Sequence, residues 1–111
     1  MNKFFFLFMM FFFFAISSLN AAAYKGQRIF VKKCVGCHTS KQSFIKTKTI
    51  SQWEDLMINK GKPLADLHLK DKKAKESWKY FNSKKYSKKS KHLKDFLMEY
   101  AKDSGNVPAC N

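Results

Sequence analysis

The sequence predicts a small all-α protein, on three observations. Apolar residues recur at helical spacing in several segments. No run of useful length alternates as a half-buried strand does, and no internal repeat is present. The chain has 111 residues, and setting aside an N-terminal leader leaves one small domain.

Residues 1–23 read as that leader. Lys3 gives a charged start, Phe4 to Ile16 an apolar run, and Ala21-Ala22-Ala23 a small-residue cleavage site. The apolar run is shorter than the roughly 20 residues a spanning helix needs. Cleavage is expected after Ala23, leaving Tyr24–Asn111, with an uncleaved membrane anchor as the alternative. Eight of the twelve Phe residues fall in the leader, so the mature chain is far less aromatic than the whole.

The first helix is predicted over Tyr24–Lys33, with Gly26, Phe30 and Cys34 at intervals of four along one face. It runs into Cys34-Val35-Gly36-Cys37-His38, the most specific feature of the chain. Two thiols three positions apart lie on one side of a helical turn. Each can add across a haem vinyl group, and the His after the second thiol sits beneath the iron. C-x-x-C-H is the attachment pattern of a c-type haem, and His is the usual proximal donor to haem iron. A thioredoxin-like dithiol would want a βαβ context, which is missing here. A Cys₂His zinc site would want a fourth ligand at finger-like spacing, and none follows.

Residues 38–48 are polar and predict a loop, interrupted by Phe44-Ile45. Thr49 or Ser51 can cap the next helix, Glu54 standing three residues after Ser51 in capping-box spacing. That helix, predicted over Ser51–Asn59, has Trp53, Leu56 and Met57 on one side, and Gly61 and Pro63 end it. Leu64–Leu69 is a short apolar patch holding His68. Asp71–Asn82 predicts a helix through Ala74, Trp78 and Phe81, and 83–90 a lysine-rich solvated loop around Tyr86. The last helix is predicted over Lys91–Lys102. Leu93, Phe96, Leu97 and Tyr100 form its apolar stripe, Lys94 and Asp95 face outward, and Gly105 is expected at its C-terminal cap with Pro108 beyond.

Gly26 and Phe30 before the C-x-x-C-H motif, together with the closing stripe, resemble the class I c-type cytochromes. That resemblance covers both ends of the mature domain and leaves the middle unmatched. It implies a small cytochrome c-like fold in which the N- and C-terminal helices cross around one covalently attached haem. The small Gly26 would let the two backbones approach. It also implies haem attachment outside the cytoplasm, which agrees with export to the periplasm. A domain this small is marginal alone, so the haem-free chain is expected to fold poorly.

Two departures from that family stand out. No Met lies between Phe81 and Ser90, before the last helix, where the family takes its distal ligand. No Pro follows His38 within a dozen residues, where the family commonly uses a Pro carbonyl to hold the proximal ring, so another carbonyl is expected in that role. His68 is the first choice for the distal position, since it is a strong iron donor flanked by Leu67 and Leu69. The Gly61/Pro63 break allows the chain to turn back over the face opposite His38. Met57 is the alternative. His92 in its lysine-rich setting reads as solvated, and Met98 as a surface Met off the stripe. Cys110 is left without a partner and suggests an intermolecular contact or a reactive thiol.

The formal net charge is +14, and +13 once Lys3 leaves with the leader. Such a surface speeds encounter with acidic partners and loses that advantage in salt. An acidic redox partner or an anionic membrane surface is the expected counterpart. Nucleic acid is not, because an exported protein seldom meets it. No acid/base pair or nucleophile arrangement argues for independent catalysis. The expected function is therefore electron carriage by an exported monohaem cytochrome in a respiratory or related redox chain. Two alternatives stand beside it: a gas-binding or sensory haem protein with a weak sixth ligand, and the haem subunit of a larger oxidoreductase.

Overall fold

A computed structural model describes residues 18–107 of the protein, and every regular element among them is helical. In chain order these are α1 (Ser18–Lys33), a four-residue α2 (Gln42–Ile45) and α3 (Ile50–Leu69). A 3₁₀ segment (Lys72–Ser77) follows, then a four-residue α4 (Trp78–Phe81) and α5 (Lys84–Glu99). The expected leader residues 1–17, Pro108 and Cys110 lie outside the described residues. The described part of α1 begins six residues before Tyr24 and runs through the expected cleavage position. None of the described helices is long and apolar enough to cross a membrane.

The pairing of α1 with α5 organises the molecule. At Gly26 the two helices meet so closely that a Cβ would run into the His92 carbonyl and the Phe96 side chain. One turn on, Phe30 packs its ring 5.6 Å from that of Phe96. Leu93, Phe96 and Leu97 are buried as the stripe predicts, with Tyr100 half-buried beside them.

α5 starts at Lys84, so the expected loop over 83–90 is helix instead. Ser83 caps it by accepting from the Tyr86 amide at 3.2 Å. The buried face continues backward as Leu93, Ser90 and Tyr86. A polar Ser in that row hid the periodicity, and its hydroxyl is satisfied by donating to the Ser87 carbonyl. The helix also ends earlier than expected, at Glu99 with Tyr100 as its cap. Gly105 takes its positive φ of 74° in the tail beyond.

α3 departs most from expectation. Its cap is Thr49 rather than Ser51, in a capping box with Gln52 rather than with Glu54. The expected end near Asn59 is present: Ile58 to Gly61 are non-helical, Asn59, Lys60 and Gly61 forming a left-handed turn (φ 50°, 58° and 74°), after which a second helical stretch begins with Pro63 in its first turn. Leu64–Leu69 is thus helical rather than an irregular patch. Left-handed backbone costs a residue such as Lys60 about 1–2 kcal/mol, and the glycine none of that steric penalty. Tyr86 holds the turn from α5 by donating its hydroxyl to the Gly61 carbonyl at 2.5 Å, and both groups are buried.

The expected helix over Asp71–Asn82 is a 3₁₀ segment followed by α4. Asp71 caps the 3₁₀ segment by accepting from the Lys73 amide. The Trp78 indole then donates to the His68 carbonyl at 2.7 Å, tying this segment to the end of α3.

Candidate functional site

The C-x-x-C-H segment leaves α1 as a closed turn. The Cys34 carbonyl accepts from the His38 amide at 2.8 Å and from the Cys37 amide at 3.2 Å. This puts Cys34 and His38 one turn apart. Cys34 is half-buried against the core and Cys37 exposed at the rim. Burial, with Cys37 beside it, pushes the Cys34 thiol up to about 12.

Cys34, Cys37 and His38 line one side of a cavity of about 230 Å³. Its interior is mostly apolar, with Phe30, Leu93 and Leu97 behind, and Phe44, Trp53 and Leu64 at the sides. Lys33 and Lys73 also reach it, together with Asp71. His68 and Phe81 stand on its far wall.

The His38 ring lies flat on Phe44, centroids 3.8 Å apart with 17° between planes, and Phe44 meets the buried Trp53 edge-on at 5.8 Å. Trp53 is fixed in turn by its indole N–H to the Ile45 carbonyl at 2.9 Å. An apolar interruption of a polar segment, Phe44-Ile45, thus carries the ring that orients His38. Among the described residues no carbonyl accepts from that imidazole, contrary to the expectation that one would. Burial, and then the neighbouring His68, lower the His38 pKa, which favours the neutral ring that can bind a metal.

His68 faces His38 across the cavity with ring centroids 6.2 Å apart and planes nearly perpendicular, at 81°. Its Nδ1 lies 2.8 Å from the Leu64 carbonyl one turn earlier. A carbonyl only accepts, so Nδ1 carries the hydrogen and Nε2 keeps its lone pair. Phe81 stacks on the other side of this ring at 4.3 Å. Trp78 and Phe81, read from the sequence as one face of a helix, are here the residues that seat His68.

The other distal candidates are elsewhere. Met57 is buried in the core and touches the Gly61 turn rather than the cavity. His92 has its backbone carbonyl against Gly26 and intermediate exposure overall, and its pKa is lowered by burial and by Lys25. Met98 is half-buried against the core rather than on the surface. Among the described residues no three His, Cys, Asp or Glu side chains gather as a metal-binding cluster, and His38 and His68 are the two imidazoles that line the cavity. The donor set and the apolar lining fit a haem. Comparisons with protein-family models, with curated proteins and with solved structures find no match.

Proposed function

We propose that this protein is an exported monohaem c-type cytochrome that carries electrons, with His38 and His68 as the residues that would hold its iron. The observation that supports this most is the pair of imidazoles across one apolar cavity, next to the two thiols of C-x-x-C-H. Two imidazoles bonded at about 2 Å to opposite sides of one metal ion put their ring centres roughly 6 Å apart. The separation here is 6.2 Å. The bond from His68 Nδ1 to the Leu64 carbonyl is the outer contact that a ligating His ordinarily has.

Each residue has a definable task. Cys34 and Cys37 would hold the haem through thioethers to its two vinyl groups, each S–H adding across one vinyl double bond. Phe44 and Phe81 hold the imidazoles upright, and the apolar lining keeps water from the centre. Lys33 and Lys73 are the cations available to the propionates. A bound haem supplies a one-electron iron couple. Two imidazoles tune that couple lower than a His/Met pair would, because the thioether favours the reduced iron.

Acidified organic extraction followed by an alkaline pyridine spectrum tests the attachment. The expected result is haem retained on the denatured chain with a two-thioether spectrum, and at most one thioether in Cys37→Ser. Haem that extracts freely from the wild-type protein would exclude this function.

A further inference from the structure

A second concavity, of about 500 Å³, lies between α1 and α5, and Lys33 lines it as well as the first. Lys25, Arg28 and Lys32 line it from α1 at helical spacing, and Lys85 and Lys89 face them from α5. With Lys33 these make six cations around one groove. None of the eight carboxylates of the chain lines it, and none of the six cations has an ion pair among the described residues. Arg28 is the only arginine in the chain, set among 21 lysines. A guanidinium presents paired donors to two oxygens of one anionic group, which a lysine cannot.

We propose that this groove binds a small chained phosphate, an oligophosphate lying between α1 and α5 with Arg28 clamping one phosphoryl group. The charge density requires more than one anionic group. From Lys25 to Lys32 the cations cover about 10 Å of helix, at ~1.5 Å per residue, which a single phosphate cannot neutralise. Concavity favours a ligand that enters the groove. The plane of a membrane surface meets only its rims, whereas a phosphate chain reaches bases on both walls. The volume lies within the range of small-molecule sites, roughly 300–1,000 Å³. His92 stands at the groove among Lys25, Lys89, Lys91 and Asp95, so its protonation reports what enters.

The test is calorimetric titration of the full chain as isolated with sodium tripolyphosphate at low salt. Orthophosphate, anionic phospholipid vesicles and a polyglutamate peptide form separate arms. Tripolyphosphate is expected to bind at one site, and more tightly than orthophosphate. Arg28→Gln with Lys89→Gln should weaken it at least about ten-fold, as the loss of two charge-assisted contacts predicts. Lys70→Gln with Lys102→Gln removes the same charge away from the groove and should change affinity less than about three-fold. The His92 pKa, followed by proton NMR, should rise when tripolyphosphate is added. Equal losses in the two double variants would reduce the effect to net charge and overturn the proposal. So would an unmoved His92, or binding of vesicles or polyglutamate through Arg28 without binding of tripolyphosphate.

Discussion

The α1–α5 crossing and the cavity beside it use the same helix in opposite ways. At Gly26 the backbones are too close for a methyl group, since a Cβ would meet the His92 carbonyl and the Phe96 side chain. Two turns later, at Cys34, the chain borders a cavity of about 230 Å³ that is lined by core residues including Phe30, Leu93 and Leu97. Atoms lining a void forgo dispersion contacts, and a rigid surround relaxes only partly into it. The crossing is self-sufficient, whereas the cavity gains whatever a ligand of the folded state contributes.

The strongest way to break that contrast is Gly26→Leu. The clash is with the His92 backbone, which cannot rotate away, so the cost should reach or exceed the usual 1–3 kcal/mol of overpacking. For a domain this size that is a fall in Tm of about 4–8 °C per kcal/mol, read by thermal circular dichroism. An unchanged Tm would mean that the crossing is looser than described.

Tyr86→Phe comes next. It leaves the buried Gly61 carbonyl without its donor and should cost about 1–2 kcal/mol in urea unfolding. Its consequence for the cavity is indirect, since α3 carries His68 beyond that turn.

The smallest effect is a pH dependence at the cavity wall that carries Cys34. In the haem-free chain the folded state favours the protonated Cys34 thiol, whose pKa is raised from 9.0 to about 12. That contribution is whole below pH 9.0 and is lost as pH climbs through about 12. Alkylation of Cys34 should therefore stay slow at neutral pH and accelerate only in that window, while the exposed Cys37 reacts first. A chain with Cys34 in a thioether should show no such step.

The two walls of the cavity also differ in how readily the sequence shows them. Cys34, Cys37 and His38 are neighbours in a local pattern whose spacing carries its chemistry, and Gly26 with Phe30 mark the crossing by helical interval. The far wall has no such pattern. His68 could be singled out by its apolar flanks, but its seat depends on Trp78 and Phe81, which arrive through a 3₁₀ segment that helical spacing misread. The left-handed turn at 59–61 is stabilised by Tyr86, 25 residues away, and a buried Ser90 masked the start of α5. These are tertiary effects, in which a distant partner decides a local conformation.

If His38 and His68 hold one iron, as proposed, the visible and near-infrared spectrum of the ferric protein should be low-spin bis-imidazole, with no thioether charge-transfer band near the red edge, and should turn high-spin in His68→Ala. A red-edge band that Met57→Ala removes, or a wild-type spectrum already high-spin, would contradict it.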